Sequence, residues 1–386
     1  MTTHEQLGPD AGAPGLWSRR RLLTTGAGMA GALILPAWLA ACGSDDADGG
    51  SAATGGTTTG GAAPAAASGT VSVLGFSNYD LPEFSTDDVS VKWTPLATTS
   101  ELYTKTAQAG TFDIAQPADV TLATMVDLGR LDPLDESRIP NFSKLAPEAT
   151  AAESSFRING ELYGVPMAYY FVYTLYDKKQ MAQPPKVYED LLAPELKGKL
   201  GLADDIFIVL ILGQLAGFNT GVFTEEQLEQ IQKMLNQLKP QVASVYAFGS
   251  EINLMARGEI AMTPHSFLNG IANAREAGID AGWANFGSYG GLDIFTIVKG
   301  AKNPDAAYEV LNRSLDEAVQ TTMADKTYSH PVITGAGESE VTKEFGTLQE
   351  AVKNAPIVGA IPPKGSDGKV GFAEWSQVFE DFKASL

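Results

Sequence analysis

The chain has few of the residues that build covalent and catalytic sites. Among its 386 residues there is one cysteine, Cys42, and there are three histidines. A single cysteine excludes an intramolecular disulfide and leaves the remainder of the chain without a thiol nucleophile. The sequence contains no G-x-S-x-G elbow, no H-E-x-x-H pair and no Walker loop. We therefore expect no catalytic residue, no metal site and no cofactor, and the chain is not predicted to be an enzyme.

Basic residues are also scarce. Lys and Arg total 27 against 46 acidic residues, which gives a formal net charge of −19. Nucleic-acid binding requires clustered basic side chains, so the composition argues against that partner. The length and the hydrophobic content of 44% exceed what one core usually supports, which predicts two lobes.

No apolar run is long enough to span a bilayer, since the run at 26–41 is short and Pro36 interrupts it. The run follows Arg19, Arg20 and Arg21, so residues 1–41 are predicted to be an export signal of the twin-arginine (Tat) type. The tetrapeptide L-A-A-C at 39–42 resembles a bacterial lipobox, which predicts a lipid on Cys42; a stray, unmodified cysteine is the alternative. Residues 42–69 are almost entirely small and polar, and we interpret them as a flexible tether. The predicted location is extracytoplasmic, lipid-anchored to the outer face of the cell membrane.

The rest of the chain alternates β-rich and helical patterns, which predicts an α/β fold. Strands are expected at 70–76, 89–94, 112–116, 171–176, 199–203 and 293–298. A capping box beginning at Thr224 predicts a helix that Pro240 closes, and Asn303 followed by Pro304 predicts the cap and first residue of another. The apolar run 207–212 predicts a helix, beginning near Asp204, that is buried on most sides, and a last helix carries Trp375 at core spacing.

Several longer motifs resemble the spermidine/putrescine branch of the solute-binding proteins of ABC importers. They are D-L-G-R-L-D-P-L-D at 127–135, G-V-P at 164–166, Y-E-D-L-L-A-P-E-L-K-G-K-L at 188–200, L-M-A-R-G-E-I-A-M at 254–262 and K-N-P-D-A-A at 302–307. The resemblance covers essentially all of 70–386. It implies a two-lobe periplasmic-binding-protein fold of the type II kind, with hinge strands and a ligand cleft between the lobes. Carried over, lobe 1 is 70–168 plus 293–331 and lobe 2 is 169–292 plus 332–386. The implied partners are a small ligand and an ABC permease, and the implied state is a monomer.

Ligands of open α/β sheets bind at the carboxyl ends of strands, and those places are acidic in this chain. Asp119 follows one predicted strand, Asp205 follows another, and Asp293 begins a third. Carboxylates at a helix start repel anions, so a cationic ligand fits better. An ammonium group is held by carboxylates and by aromatic faces, which Phe76, Tyr79, Tyr169 and Tyr170 could provide.

The resemblance adds that Asp205 and Asp293 fall where polyamine-binding members have amine-contacting aspartates, and that 78–80 fall in their first ligand loop. The chain departs from the family at Ile208, where the family has a glutamate, and at Pro264 and Gly291, where it has tryptophans. The predicted ligand is a polyamine or another amine-bearing solute, with a smaller monoamine left open. The ligand-binding set is Asn78, Tyr79, Asp80, Asp119, Tyr169, Asp205, His265 and Asp293.

Other interpretations remain open from the sequence. Asp205 is compatible with a helix-capping role alone, Asp119 with a structural role, and Tyr169 and Tyr170 with a place in the hinge core. A ligand-sensing protein of the same fold, a secreted hydrolase and a ferric-ion binder are the alternative functions.

Overall fold

A computed structural model of the chain describes residues 67–96, 99–218 and 221–386. The predicted signal at 1–41, Cys42 and the tether up to residue 66 lie outside the described residues. Within the described ranges, no helix combines the length and apolar character that crossing a bilayer requires.

The helices begin and end close to their sequence signals. Thr224 caps its helix through its Oγ1, which accepts the backbone N–H of Gln227 at 3.2 Å, as predicted. Pro304 is the first residue of its helix, but Asn303 donates its side chain to the Thr70 carbonyl instead of capping. The bounds are α1 Thr99–Lys105, α2 Asp119–Asp127, α3 Pro147–Ala151, α4 Ile208–Leu215, α5 Glu225–Gln237, α6 Glu251–Ala256, α7 Leu268–Glu276, α8 Pro304–Arg313, α9 Glu317–Thr327, α10 Glu340–Lys343, α11 Leu348–Asn354 and α12 Phe372–Lys383.

One eight-stranded sheet runs through the described residues in the order β2-β1-β3-β11-β6-β10-β7-β9. Strands β1, β2 and β3 are mutually parallel where they pair, as are β10, β7 and β9, whereas β6 and β11 are antiparallel to each other. The bounds are β1 Gly69–Phe76, β2 Val89–Leu96, β3 Ile114–Ala115, β4 Arg157–Ile158, β5 Glu161–Leu162, β6 Val165–Asp177, β7 Leu200–Ala203, β8 Phe223–Thr224, β9 Val242–Tyr246, β10 Met262–Ser266, β11 Ala281–Ile297 and β12 Lys369–Val370.

The two central strands are much longer than the sequence predicted. β6 has 13 residues and β11 has 17, whereas the predicted segments were 171–176 and 293–298. β6 is buried almost throughout, so it shows no alternation to mark its beginning. The glycines between 287 and 291 weaken the strand signal in the first half of β11.

Two contiguous hydrophobic clusters form the core. One contains the buried residues of β1 and of α8, and the other contains α4 and the buried face of α12. Residues 208–213 of α4 are all buried, which confirms a helix buried on most sides, although it begins at Ile208 and not near Asp204. Trp375 is fully buried in α12, as its spacing predicted.

Candidate functional site

The candidate site lies on one face of the ribbon that β6 and β11 form. Gly291 pairs with Tyr170, and Asp293 pairs with Ala168, in an uninterrupted register. Side chains alternate along a strand, so Tyr289, Gly291 and Asp293 share a face with Tyr170. We call these four residues the acidic face of the ribbon.

The opposite side, which we call the aromatic face, carries Tyr169, Phe171 and Tyr173. Tyr169 is fully buried there, and its hydroxyl donates to the Ala355 carbonyl at 2.6 Å. The prediction of Tyr169 as a ligand residue is therefore corrected: strand alternation points it away from Asp293. Its neighbour Tyr170 is only partly buried and takes the place on the acidic face.

Asp293 lies beside the first residue of α2. Ala118 and Asp293 form an isolated antiparallel bridge, and the Ile294 N–H donates to the Pro117 carbonyl at 3.0 Å. Asp119 follows directly, fully buried, with its Oδ1 accepting the N–H of Val120 at 2.9 Å. The backbone thus brings two aspartates from distant parts of the chain together.

Tyr79 completes this end of the site. It lies in a short 3-10 helix, Ser77–Tyr79, directly after β1. Its hydroxyl donates to Asp293 Oδ2 at 2.6 Å, and both side chains are buried. The neighbouring Asn78 and Asp80 are exposed, and no hydrogen bond between described residues uses their side chains. Of the predicted 78–80 loop, only Tyr79 is placed with the carboxylates.

Gly291 permits the close approach of Tyr170 and Asp119. A Cβ atom at position 291 would lie 2.4 Å from the Tyr170 hydroxyl and 2.8 Å from Asp119 Oδ1. Any larger residue would displace one of them. This is a position where the family resemblance led us to note a missing tryptophan, and the space beside the glycine is occupied by the end of the Tyr170 side chain.

Asp205 lies between β7 and α4 and is partly buried. Its Oδ1 accepts the N–H of Phe207 at 3.1 Å, so it shapes the turn that leads into the helix. Its charge raises the pKa of Tyr170 and Tyr289, after burial, so it faces the same site. The adjacent Asp204 points elsewhere, since it is exposed and pairs with Lys383 at 2.7 Å.

The three carboxyl groups have raised pKa values because of burial. The pKa of Asp119 rises to about 7, with the charge of Asp293 adding to burial and the N–H groups of Leu292 and Val120 opposing it. Burial raises the pKa of Asp293 to about 7, against the hydrogen bond from Tyr79, and that of Asp205 to about 6. None of the ion pairs between described residues includes these three aspartates. A buried site with this charge favours a cation.

Aromatic rings surround the carboxylates. Tyr170 packs edge-on against Phe267 at 5.9 Å between ring centroids, and Phe207 lies 6.1 Å from Tyr289. His265 packs 5.5 Å from Phe267 and 6.5 Å from Tyr289. Burial lowers its pKa to about 3, so the imidazole is neutral, and it is 1% exposed. The structure places the predicted His265 behind the aromatic wall.

Two of these wall residues escaped the sequence reasoning. Phe267 directly follows β10, so the rule that located Asp119 and Asp205 would also have found it. Tyr289 lies on the acidic face two residues before Gly291, but this was invisible while β11 was thought to begin at Asp293. No group of three or more His, Cys, Asp and Glu side chains within the described ranges could hold a metal ion.

Comparisons with known proteins agree with this architecture. Residues 83–350 match the family described as bacterial extracellular solute-binding protein, and the chain belongs to that family. The spermidine/putrescine-binding periplasmic protein of Escherichia coli is 28% identical over 291 residues, which cover 73% of this chain and 79% of that protein. The putrescine/cadaverine-binding protein of Pseudomonas aeruginosa is 24% identical over 285 residues, covering 69% and 73%.

Among solved structures, the chain is similar to the spermidine/putrescine ABC transporter substrate-binding protein of Streptococcus pneumoniae. The TM-score is 0.66 at 22% identity, and the match covers 82% of this chain and 98% of that one. The fold is therefore the two-lobe periplasmic-binding-protein fold, with a mixed α/β sheet, and the chain is a solute-binding protein.

Proposed function

We propose that this protein is the extracytoplasmic solute-binding lipoprotein of an ABC importer, and that it captures a polyamine or another amine-bearing solute for delivery to the permease. The observation that carries the proposal is the set of three carboxylates, Asp119, Asp205 and Asp293, on one site without a basic partner in any ion pair between described residues. No described histidine supplies the charge either, since His265 is neutral.

An alkylammonium ligand would satisfy this site. Its N–H groups donate charge-assisted hydrogen bonds to carboxylates, and its methylene groups pack on aromatic faces. Tyr170, Tyr289 and Phe267 provide those faces around the carboxylates. An anionic or neutral ligand would leave the buried carboxylates uncompensated. The names of the relatives in Escherichia coli and Pseudomonas aeruginosa, which bind spermidine, putrescine or cadaverine, support the same ligand class.

Binding and release require the lobes to separate. Asp119 is fully buried, and the adjacent Val120 accepts a hydrogen bond from the Ile361 N–H at 3.1 Å. With the proposed lobes at 70–168 plus 293–331 and 169–292 plus 332–386, this bond crosses the cleft. The long strands β6 and β11 would act as the hinge, and closure around the ligand would present the bound form to the permease.

The remaining parts of the proposal rest on the sequence. We propose export through the Tat route, lipid modification of Cys42, attachment to the outer face of the membrane and a monomeric state, with no catalytic activity. A ligand-sensing role would use the same site with a different membrane partner. A secreted hydrolase and a ferric-ion binder are less well supported, because no described metal-ligand group of three exists to favour the latter.

A thermal-shift screen of the purified protein tests the proposal. The ligands are putrescine, cadaverine, spermidine, monoamines, amino acids, sugars and metal ions, because any ligand that prefers the native state raises the melting temperature. We expect stabilisation by an amine, and we expect Asp205→Asn and Asp293→Asn to lose it. Asp204→Asn is the matched control, since this aspartate pairs with Lys383 on the surface. Stabilisation by a sugar or an anion alone would overturn the amine assignment.

A further inference from the structure

Asp119 has a buried oxygen that no described group satisfies. Its Oδ1 accepts the N–H of Val120, but its Oδ2 has no hydrogen-bond partner, and the residue is fully buried. Buried polar atoms are almost always paired, because an unpaired one costs about 1–3 kcal/mol, and more when charged. An unsatisfied carboxylate oxygen beside a second carboxylate is an energetic cost that the fold alone does not explain.

The second carboxylate is Asp293, which the bridge between Ala118 and Asp293 holds next to Asp119. Asp293 has one hydrogen bond, from Tyr79, and its charge raises the pKa of Asp119. The other ionisable groups that act on the pair are acidic: Tyr169 and Tyr170 of β6, Tyr289 of β11 and Asp205 before α4. Two neighbouring carboxylates in such surroundings cannot both ionise unless a cation joins them.

We propose that Asp119 is a specificity-determining residue, which forms with Asp293 a paired-carboxylate subsite that holds a proton when empty and exchanges it for one ammonium group of the ligand. The inference rests on the proposed function and specifies how its site selects a charged terminus. In the empty state one carboxyl keeps its proton. When the ammonium enters, that O–H bond breaks, the proton passes to the buffer, and both carboxylates accept N–H hydrogen bonds from the ligand.

The arrangement makes the site asymmetric. Two carboxylates and the Tyr79 hydroxyl meet at one end, whereas Asp205 stands alone at the other, near Tyr289. Because the chain has Ile208 where the family resemblance led us to expect a glutamate, the charge absent beside Asp205 is present instead at Asp119. An ammonium terminus is therefore selected most strongly at the Asp119 end, and a hydroxyl in its place would leave the second carboxylate unmatched.

Proton release is measured by isothermal titration calorimetry with putrescine in phosphate and in imidazole buffer, whose ionisation enthalpies differ. At pH 6.5 we expect the binding enthalpy to depend on the buffer, with release approaching about one proton per ligand. Above pH 9 the dependence should vanish, because the pair is then already ionised in the empty protein. Asp119→Asn should abolish the release and weaken binding about ten- to a hundredfold, the range for a lost charged hydrogen bond.

The matched control is Asp127→Asn, which makes the same change at the exposed end of the same helix, α2, and should leave affinity and proton release unchanged. Buffer-independent binding by the wild type at pH 6.5, or an Asp119→Asn variant that binds and releases protons like the wild type, overturns the paired subsite while the amine-binding role stands. If the wild type binds no amine at all, the proposed function itself fails. Circular dichroism of each variant separates these outcomes from misfolding.

Discussion

The two faces of the β6–β11 ribbon differ in how completely their polar groups are paired. On the aromatic face, the Tyr169 hydroxyl donates to the Ala355 carbonyl and the Tyr173 hydroxyl accepts the Ile271 N–H. On the acidic face, Asp293 has one hydrogen bond, and the adjacent Asp119 has an oxygen without a partner. The first arrangement is that of a finished core, and the second is that of a site prepared for a ligand.

This comparison shows how one pair of strands can serve two purposes. Tyr169 and Tyr170 are neighbours in the sequence, yet one stabilises the fold and the other lines the site, because successive side chains point to opposite faces. Substitutions on the aromatic face should therefore change stability, and substitutions on the acidic face should change binding. Three predictions follow this division.

The largest expected effect is that of Phe171→Ala on the aromatic face. Phe171 is 4% exposed and packs edge-on against Phe345 at 4.9 Å between ring centroids. Removing the ring should lower the free energy of unfolding by about 3–5 kcal/mol, measured by chemical denaturation. The affinity of the protein that remains folded should change less than about threefold. A large affinity loss at unchanged stability would contradict the division between the faces.

Gly290→Ala and Gly291→Ala form a matched pair across the ribbon. A Cβ at position 290 would lie 2.3 Å from the Ala355 carbonyl oxygen, whereas one at position 291 meets the ends of two side chains, Tyr170 and Asp119. Backbone cannot move as side chains can, so Gly290→Ala should destabilise by about 1–3 kcal/mol. Gly291→Ala should cost less stability but weaken amine binding about tenfold, since it displaces site residues. Equal effects of both variants on stability and on binding would count against the account.

The smallest expected effect is the pH dependence of the ligand-free protein. The pKa values of Asp119 and Asp293 rise from 3.8 to about 7 on folding, so the folded state keeps protons that the unfolded state loses. The free energy of unfolding should therefore fall by about 1–3 kcal/mol as the pH rises from 4 to about 7, and level off above. Asp119→Asn should flatten this slope and stabilise the empty protein at pH 8. A slope of opposite sign would show that the carboxyls are not buried as described.

Much of the fold follows from local signals in the sequence. The capping box at Thr224, the proline at the start of α8 and the apolar run in α4 each predict a helix that the structure contains. Strand ends also located Asp119 and Asp205, because the carboxyl ends of strands in such sheets are where polar site residues collect.

The parts that escaped prediction depend on long-range register. Choosing Tyr170 over Tyr169 requires knowing which of them faces Asp293, and that is set by the pairing of β6 with β11. The contact of Asp119 with Asp293 depends on a single bridge between segments far apart in the chain. His265 lies near the site by sequence order, but only the packing of Phe267 and Tyr289 reveals that it supports the wall from behind.

A crystal structure of the protein with putrescine tests the central claim most directly. The account predicts one ligand nitrogen within about 2.7–2.9 Å of both Asp119 and Asp293, with the methylene chain against Tyr170. The other nitrogen should lie near Asp205. Putrescine bound instead in the surface cavity of about 590 Å³ lined by Tyr188, Met234 and Phe286, with the carboxylate pair left untouched, would contradict the account.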